Sequence, residues 1–136
     1  MTASGQSRAR CRMFIYYNGN PMRRNVGDCV VRAISKATGD SWEKTYLGLC
    51  LKGYEMGDMP SANSVWGAYL TDNGFKRGII PNKCPDCYTV ADFCEDNPHG
   101  SFVLALSSHA VAVINGDVFD TWDSTEEIPI YFWRKE

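Results

Sequence analysis

Three side chains have the types and the order along the chain that nucleophilic catalysis needs. Cys29 lies in "NVGDCVVRAIS" (25–35), immediately before a run with helical period. A thiol in the first turn of a helix faces unpaired backbone N–H groups and the positive end of the macrodipole, which favour its thiolate. The same N–H groups are suited to stabilising the oxyanion of an acyl-transfer intermediate. His109 opens the strand-like run "HAVAVI", and a carboxylate follows in "DVFDTWD". Alone, neither the thiol nor the imidazole says much: free cysteine packs as a small hydrophobe, and a lone strand-end histidine is usually satisfied by backbone. Their combination with a carboxylate on one face is the signal.

Asn115-Gly116 decides which carboxylate that is. As the two-residue turn of a hairpin, it pairs Ile114 with Asp117, sets Val111 opposite Asp120 and sets His109 opposite Trp122. Side chains at opposed positions share a face, so Asp120 lies diagonally beside His109 while Asp123 points to the other side. A bulge would reverse the parity and make Asp123 the acid. With Asp120 holding one imidazole nitrogen, the other is left for the thiol.

The elements that must position these groups read as follows. "CRMFIYYN" is a candidate first strand, and "NGNPMRRN" is turn chemistry. Val30, Ala33, Ile34 and Ala37 fall on one helical face, closed by Gly39. A second helix starts at Asp40 with Glu43 as a capping box and Trp42, Tyr46, Leu47, Cys50 and Leu51 as its apolar face. A third runs from about Ser61 to Asn73, with Val65, Trp66, Tyr69 and Leu70 apolar. "PNKCPDCY" is a loop, and Thr89 with Asp92 opens a short fourth helix that "NPHG" ends. Four strand-like runs follow: "SFVLALSS", "HAVAVI", "DVFDTWD" and "IPIYFWR". Helices first and an antiparallel meander afterwards predict an α+β fold, with the N-terminal helices packed on one side of a C-terminal antiparallel sheet. Residues 1–19 form a tail with the candidate strand, and 20–136 form a single domain.

A chain of 136 residues carrying a net charge of −2 lacks the electrostatic footprint of a general nucleic-acid or membrane binder. No apolar run approaches the ~20 residues that span a bilayer, and the basic start has no hydrophobic segment behind it, so a cytoplasmic location is expected. In a reducing compartment the six cysteines read as thiols. No cofactor is implied. "CPDC" supplies Cys84 and Cys87, which with Cys94 and His99 make four potential zinc ligands. Their spacing fits no familiar site, and a redox dithiol at Cys84 and Cys87 is less favoured still.

The order Cys, His, then Asp or Asn, on a helix followed by an antiparallel sheet, resembles the papain-like cysteine peptidase superfamily. "HAVAV" resembles that family's strand beginning with the catalytic His. "DTW" (120–122) resembles its "NSW" element, and "GDC" (27–29) its Gly-x-Cys, with Asp28 and Val30 replacing the usual neighbours. The whole chain also resembles small uncharacterised phage and gut-bacterial proteins containing "GDCVVRAI" and "DTWDS". The resemblance implies a papain-like cysteine hydrolase or acyltransferase acting on a peptide, isopeptide or amide bond through Cys29, His109 and Asp120. The cytoplasm would then be its own cell's or, for a viral protein, a host's. The alternative is a non-catalytic module on the same scaffold that captures a host protein or a small signalling molecule. The family's oxyanion glutamine, six residues before the Cys, is replaced here by Arg23. Asn25 is the nearby amide chosen to take its place, with Asn20 the other candidate and turn chemistry the bland account of both. Arg32, one turn after Cys29, reads as a solvated helix-face charge or as a group that binds a substrate anion or favours the thiolate. Asp28 reads as an N-cap. Trp122 either covers the His–Asp pair and substrate or belongs to the core.

Overall fold

The computed structural model describes residues 13–81 and 87–136. Among them are four helices and six strands: β1 (Phe14–Tyr16), α1 (Cys29–Thr38), α2 (Trp42–Met56), α3 (Asn63–Asp72), β2 (Phe75–Ile79), α4 (Val90–Asp96), β3 (Ser101–Leu106), β4 (His109–Ile114), β5 (Asp117–Asp120) and β6 (Tyr131–Lys135). The strands form one sheet in the order β1-β5-β4-β3-β6-β2.

The α+β class holds, with three corrections. The sheet is mixed, because β1 runs parallel to β5 (Phe14 beside Val118) while the other pairs are antiparallel. The meander stops at β5. With the outer edge of β5 taken by β1, the last strand returns to the free edge of β3, setting Val103 beside Trp133. The helices are not all on one side. Strand alternation gives the sheet two apolar faces. Ala33, Ile34, Leu49, Trp66 and Leu70 of α1–α3 pack with Val103, Ala105, Ala110 and Ala112, whereas Val90, Phe93 and Cys94 of α4 pack with Phe102, Leu104, Val111, Val113 and Val118.

Local chemistry accounts for the helix ends. α1 stops where Gly39 takes φ 81° and donates its N–H to the Ser35 carbonyl. The cap of α2 is Ser41 rather than Asp40: its hydroxyl accepts from the Lys44 N–H, while Asp40 pairs with the Lys44 ammonium at 3.3 Å. The expected apolar face of α2 is also displaced. Thr45, Leu49 and Gly53, a narrow stripe of spacing four, are buried, and Tyr46, Leu47 and Leu51 are exposed. Gly53 faces the segment that follows the helix, where a Cβ would stand 2.7 Å from the Asp58 carbonyl oxygen. The capping box of Thr89 and Asp92 forms as expected. β2 went unanticipated: in "FKRGI" only Phe75 is buried, and its Lys and Arg suit an edge strand.

No helix among the described residues is long and apolar enough to cross a membrane. The small face formed by Ala105, Ala110 and Ala112 is what the site depends on, since it lets α1 lie directly over β3 and β4. If α4 is an integral layer and the outer face of α2 is not, two alanine substitutions separate them. Phe93→Ala should cost about 3–5 kcal/mol in denaturant unfolding. Leu51→Ala should stay within about 0.5 kcal/mol of the parent.

Candidate active site

Cys29 is the first residue of α1, and Asp28 before it makes no side-chain cap to the helix. The amides of the first turn are therefore not capped by the Asp28 carboxylate. His109 begins β4 directly after a two-residue turn in which Ser108 takes φ 58°. A non-glycine residue in that region carries local strain of order 1–3 kcal/mol, held by the surrounding sheet. Asn115 (φ 50°) and Gly116 (φ 82°) form the tight turn the sequence implied, with Ile114 paired to Asp117. One residue beyond the paired stretch, Asp120 falls beside His109.

The geometry joins all three groups. His109 Nε2 lies 2.7 Å from Asp120 Oδ2, which leaves the other imidazole nitrogen for Cys29. Asp123 is exposed and is engaged by the N–H and hydroxyl of Thr125, so it takes no part. Trp122 is 44% exposed and belongs to no core. Its ring lies 5.0 Å from that of His109, tilted by 35°, and shields the imidazole.

Charge follows geometry. Burial on its own raises the Cys29 thiol, but hydrogen bonds from His109 and the Ala110 N–H, with the charges of His109 and Arg32, bring it below its usual range. Burial on its own lowers His109, but hydrogen bonds to Asp120 and Cys29 and the charges of both push it up to about 9. For Asp120, burial is outweighed by the His109 and Ser124 hydrogen bonds, and the carboxyl is held below its ordinary value. All three shifts favour a thiolate–imidazolium pair over a carboxylate.

Arg32 is the main departure from expectation. It is not a solvated charge but is 4% exposed, because its guanidinium turns inward between two carboxylates. One η-nitrogen donates to Asp28 Oδ1 at 2.7 Å and the other to Asp120 Oδ1 at 3.0 Å. Asp28 is no simple cap either: its second oxygen accepts from Trp42 Nε1 at 2.9 Å. Ser124, buried and donating to Asp120 Oδ2 at 2.8 Å, was not foreseen. The four-residue spacing from Asp28 to Arg32 was the one available signal for the ion pair. No period marks Ser124, which reaches Asp120 through a turn.

A cleft of about 710 Å³ opens beside the thiol, lined by Asn20, Asp28, Cys29, Val30, Trp42, Tyr46, Leu49, Trp66 and His109 among others. Asn25 is exposed and absent from the lining, so it cannot serve the oxyanion. Asn20 is buried and does line the cleft. Its side-chain oxygen accepts from the Met22 N–H at 2.8 Å, which leaves its NH₂ to donate. Arg23 is exposed, with φ 56°, and stands clear of the cleft.

Among the described residues, the candidate zinc ligands do not gather. Cys94 is buried on α4, and that burial pushes its thiol up to about 12. Cys87 and His99 are exposed, and Cys84 lies outside the described residues. No group of three or more His, Cys, Asp or Glu suited to a metal occurs among the described residues.

The paired thiol is directly testable by alkylation with iodoacetamide, mapped by mass across a pH series. Cys29 should react well below the ~8.5 of a free thiol. In His109→Ala the onset should move up toward that value or past it, since burial is then less opposed. Comparison with family models, with curated proteins and with solved structures returns no match, so the reading of this site stands on its geometry alone.

Proposed function

We propose that this chain is a small cysteine hydrolase or acyltransferase of papain-like fold, acting on a peptide, isopeptide or other amide bond. The observation that carries the reading is the hydrogen-bonded path from a helix-start thiol through His109 to the buried Asp120 carboxylate.

Each group then has a role. The Cys29 thiolate attacks the carbonyl carbon, forming the C–S bond and an oxyanion. The Cys29 backbone N–H and the Asn20 amide stabilise that oxyanion. As the C–N bond breaks, the His109 imidazolium gives its proton to the departing amine. His109, now neutral, takes a proton from water or from an acceptor amine or alcohol. That nucleophile displaces the thiolate from the thioester. Asp120 keeps the imidazole in one orientation throughout and stabilises its charged form. The substrate is expected to present a bulky apolar group, because Val30, Trp42, Tyr46, Leu49 and Trp66 form much of the cleft wall. Asn20 takes the oxyanion role in place of Asn25, because only Asn20 reaches the cleft.

The experiment is a panel of electrophilic peptide and acyl-amide probes with varied side chains, followed by turnover of the matching amides. Labelling of Cys29 should favour large apolar groups over charged ones, and Cys29→Ala should abolish turnover. Turnover should rise with pH through the lowered Cys29 value and fall above about 9, where His109 loses the proton the leaving group needs. Asn20→Ala should lower kcat by about 10²–10³ while Asn25→Ala leaves it near the parent. Tight, saturable binding of such compounds without acylation would instead favour the non-catalytic module that captures a host protein or small molecule.

A further inference from the structure

The acid of this site is fastened to the helix that carries the nucleophile. Asp120 has no exposed surface, and its two oxygens take four donors: His109 and Ser124 on Oδ2, Arg32 and the Thr121 N–H on Oδ1. Three of the four come from β4 or from the segment after β5. The fourth comes from α1, one turn beyond Cys29. The same guanidinium holds Asp28, and Asp28 holds the Trp42 indole at the cleft wall.

We propose that Arg32 is a positioning residue of the Cys29 site: its guanidinium forks between Asp28 and Asp120, ties α1 to β5 and fixes the carboxylate that orients His109. The inference rests on the cysteine-hydrolase reading above. Its physical basis is the plane and reach of the fork. His109 and Ser124 hold only one oxygen of Asp120, which by itself leaves the carboxylate free to turn about its Cβ–Cγ bond. Donors from Arg32 and Thr121 on the opposite oxygen remove that freedom. The charged groups meeting at this point are Cys29 and Arg32 from α1, Asp28 from the residue before it, His109 from β4 and Asp120 from β5. Ser124 and Thr121 add hydrogen-bond donors. A lysine in place of Arg32 carries the charge, but as a point donor it cannot fork to both carboxylates.

The test uses the full chain and reads iodoacetamide alkylation of Cys29 across pH, with a thermal melt of each variant. Wild type and His109→Ala come first. If wild-type Cys29 reacts like a free thiol, there is no pair to position, and both the site reading and this proposal fail at that arm. If the low-pH reactivity is present and lost in His109→Ala, the site reading holds and the arginine variants decide. Folded Arg32→Met should lose about tenfold in Cys29 alkylation rate at pH 6, equal to an upward shift of about one pKa unit. Arg32→Lys should recover only part of that loss. With Asp28 left without its cation and Asp120 with only His109, Arg32→Met is prone to unfolding, and in that case Arg32→Lys carries the test against wild type. A folded Arg32→Met or Arg32→Lys with a lower melting temperature but an unchanged alkylation profile would make Arg32 purely structural and overturn the proposal.

Discussion

A carboxylate sealed from water is a liability unless donors replace the water it has lost, and Asp120 is sealed completely. Its four hydrogen bonds reach it from α1, from β4 and from the turn after β5. Each of those pieces must stand in one place for the carboxylate to be satisfied. The cost of burying this charge is thus also what locates the site. Removing one partner of a buried pair typically costs about 3–5 kcal/mol, set against a total stability of about 5–15 kcal/mol. Arg32, the lone cation between two buried acids, therefore matters to the fold as well as to the imidazole.

Besides the Ala110 N–H and the Arg32 charge, two influences stabilise a Cys29 thiolate, and they differ in size. A helix N-terminus contributes about 0.3–1 kcal/mol at an exposed site and up to about 2 kcal/mol when partly buried. A unit charge about 4 Å away contributes about 4 kcal/mol at the effective dielectric of such a site. The His109 imidazolium is therefore the stronger of the two, and it remains charged because Asp120 stands behind it. That ordering explains why the small Ala105, Ala110 and Ala112 face matters. It lets α1 approach the sheet closely enough for the thiol to meet the imidazole, and a bulkier face would leave Cys29 without that partner.

The three central groups were legible in the sequence because short-range rules govern them. Asn115-Gly116 dictates a tight turn, the turn dictates register, and register puts Asp120 rather than Asp123 beside His109. Cys29 follows from the helical period after it. What was illegible depends on contacts across the fold. Helical spacing puts Arg32 one turn from Cys29 but does not say that a carboxylate from β5 waits on that side. Asn20 and Asn25 have the same chemistry in the same turn, and only the path of the loop sets one in the cleft and the other in solvent. α2 misled for a related reason. Its larger apolar residues suggested the inward face, whereas packing selected the narrow stripe of Thr45, Leu49 and Gly53. β6 was recognised as a strand, but its place beside β3 depends on β1 having occupied β5, a pairing no local pattern encodes.

One consequence joins the cleft to the charges behind it. The Trp42 ring forms part of the cleft wall and stacks on Tyr46 at 5.0 Å, while its Nε1 donates to Asp28. From Asp28 the hydrogen bonds continue through Arg32 and Asp120 to His109. On the proposed hydrolase reading, a substrate in the cleft would lie against Trp42, the cleft end of this chain of hydrogen bonds. There it would press on a side chain whose orientation is tied to Asp28. On that reading, the path from the cleft to His109 runs through Arg32. An apolar substrate suits that wall better than a charged one, which would bring its own water and its own field into the cleft. The apolar wall and the buried ion network are in that sense two ends of one arrangement.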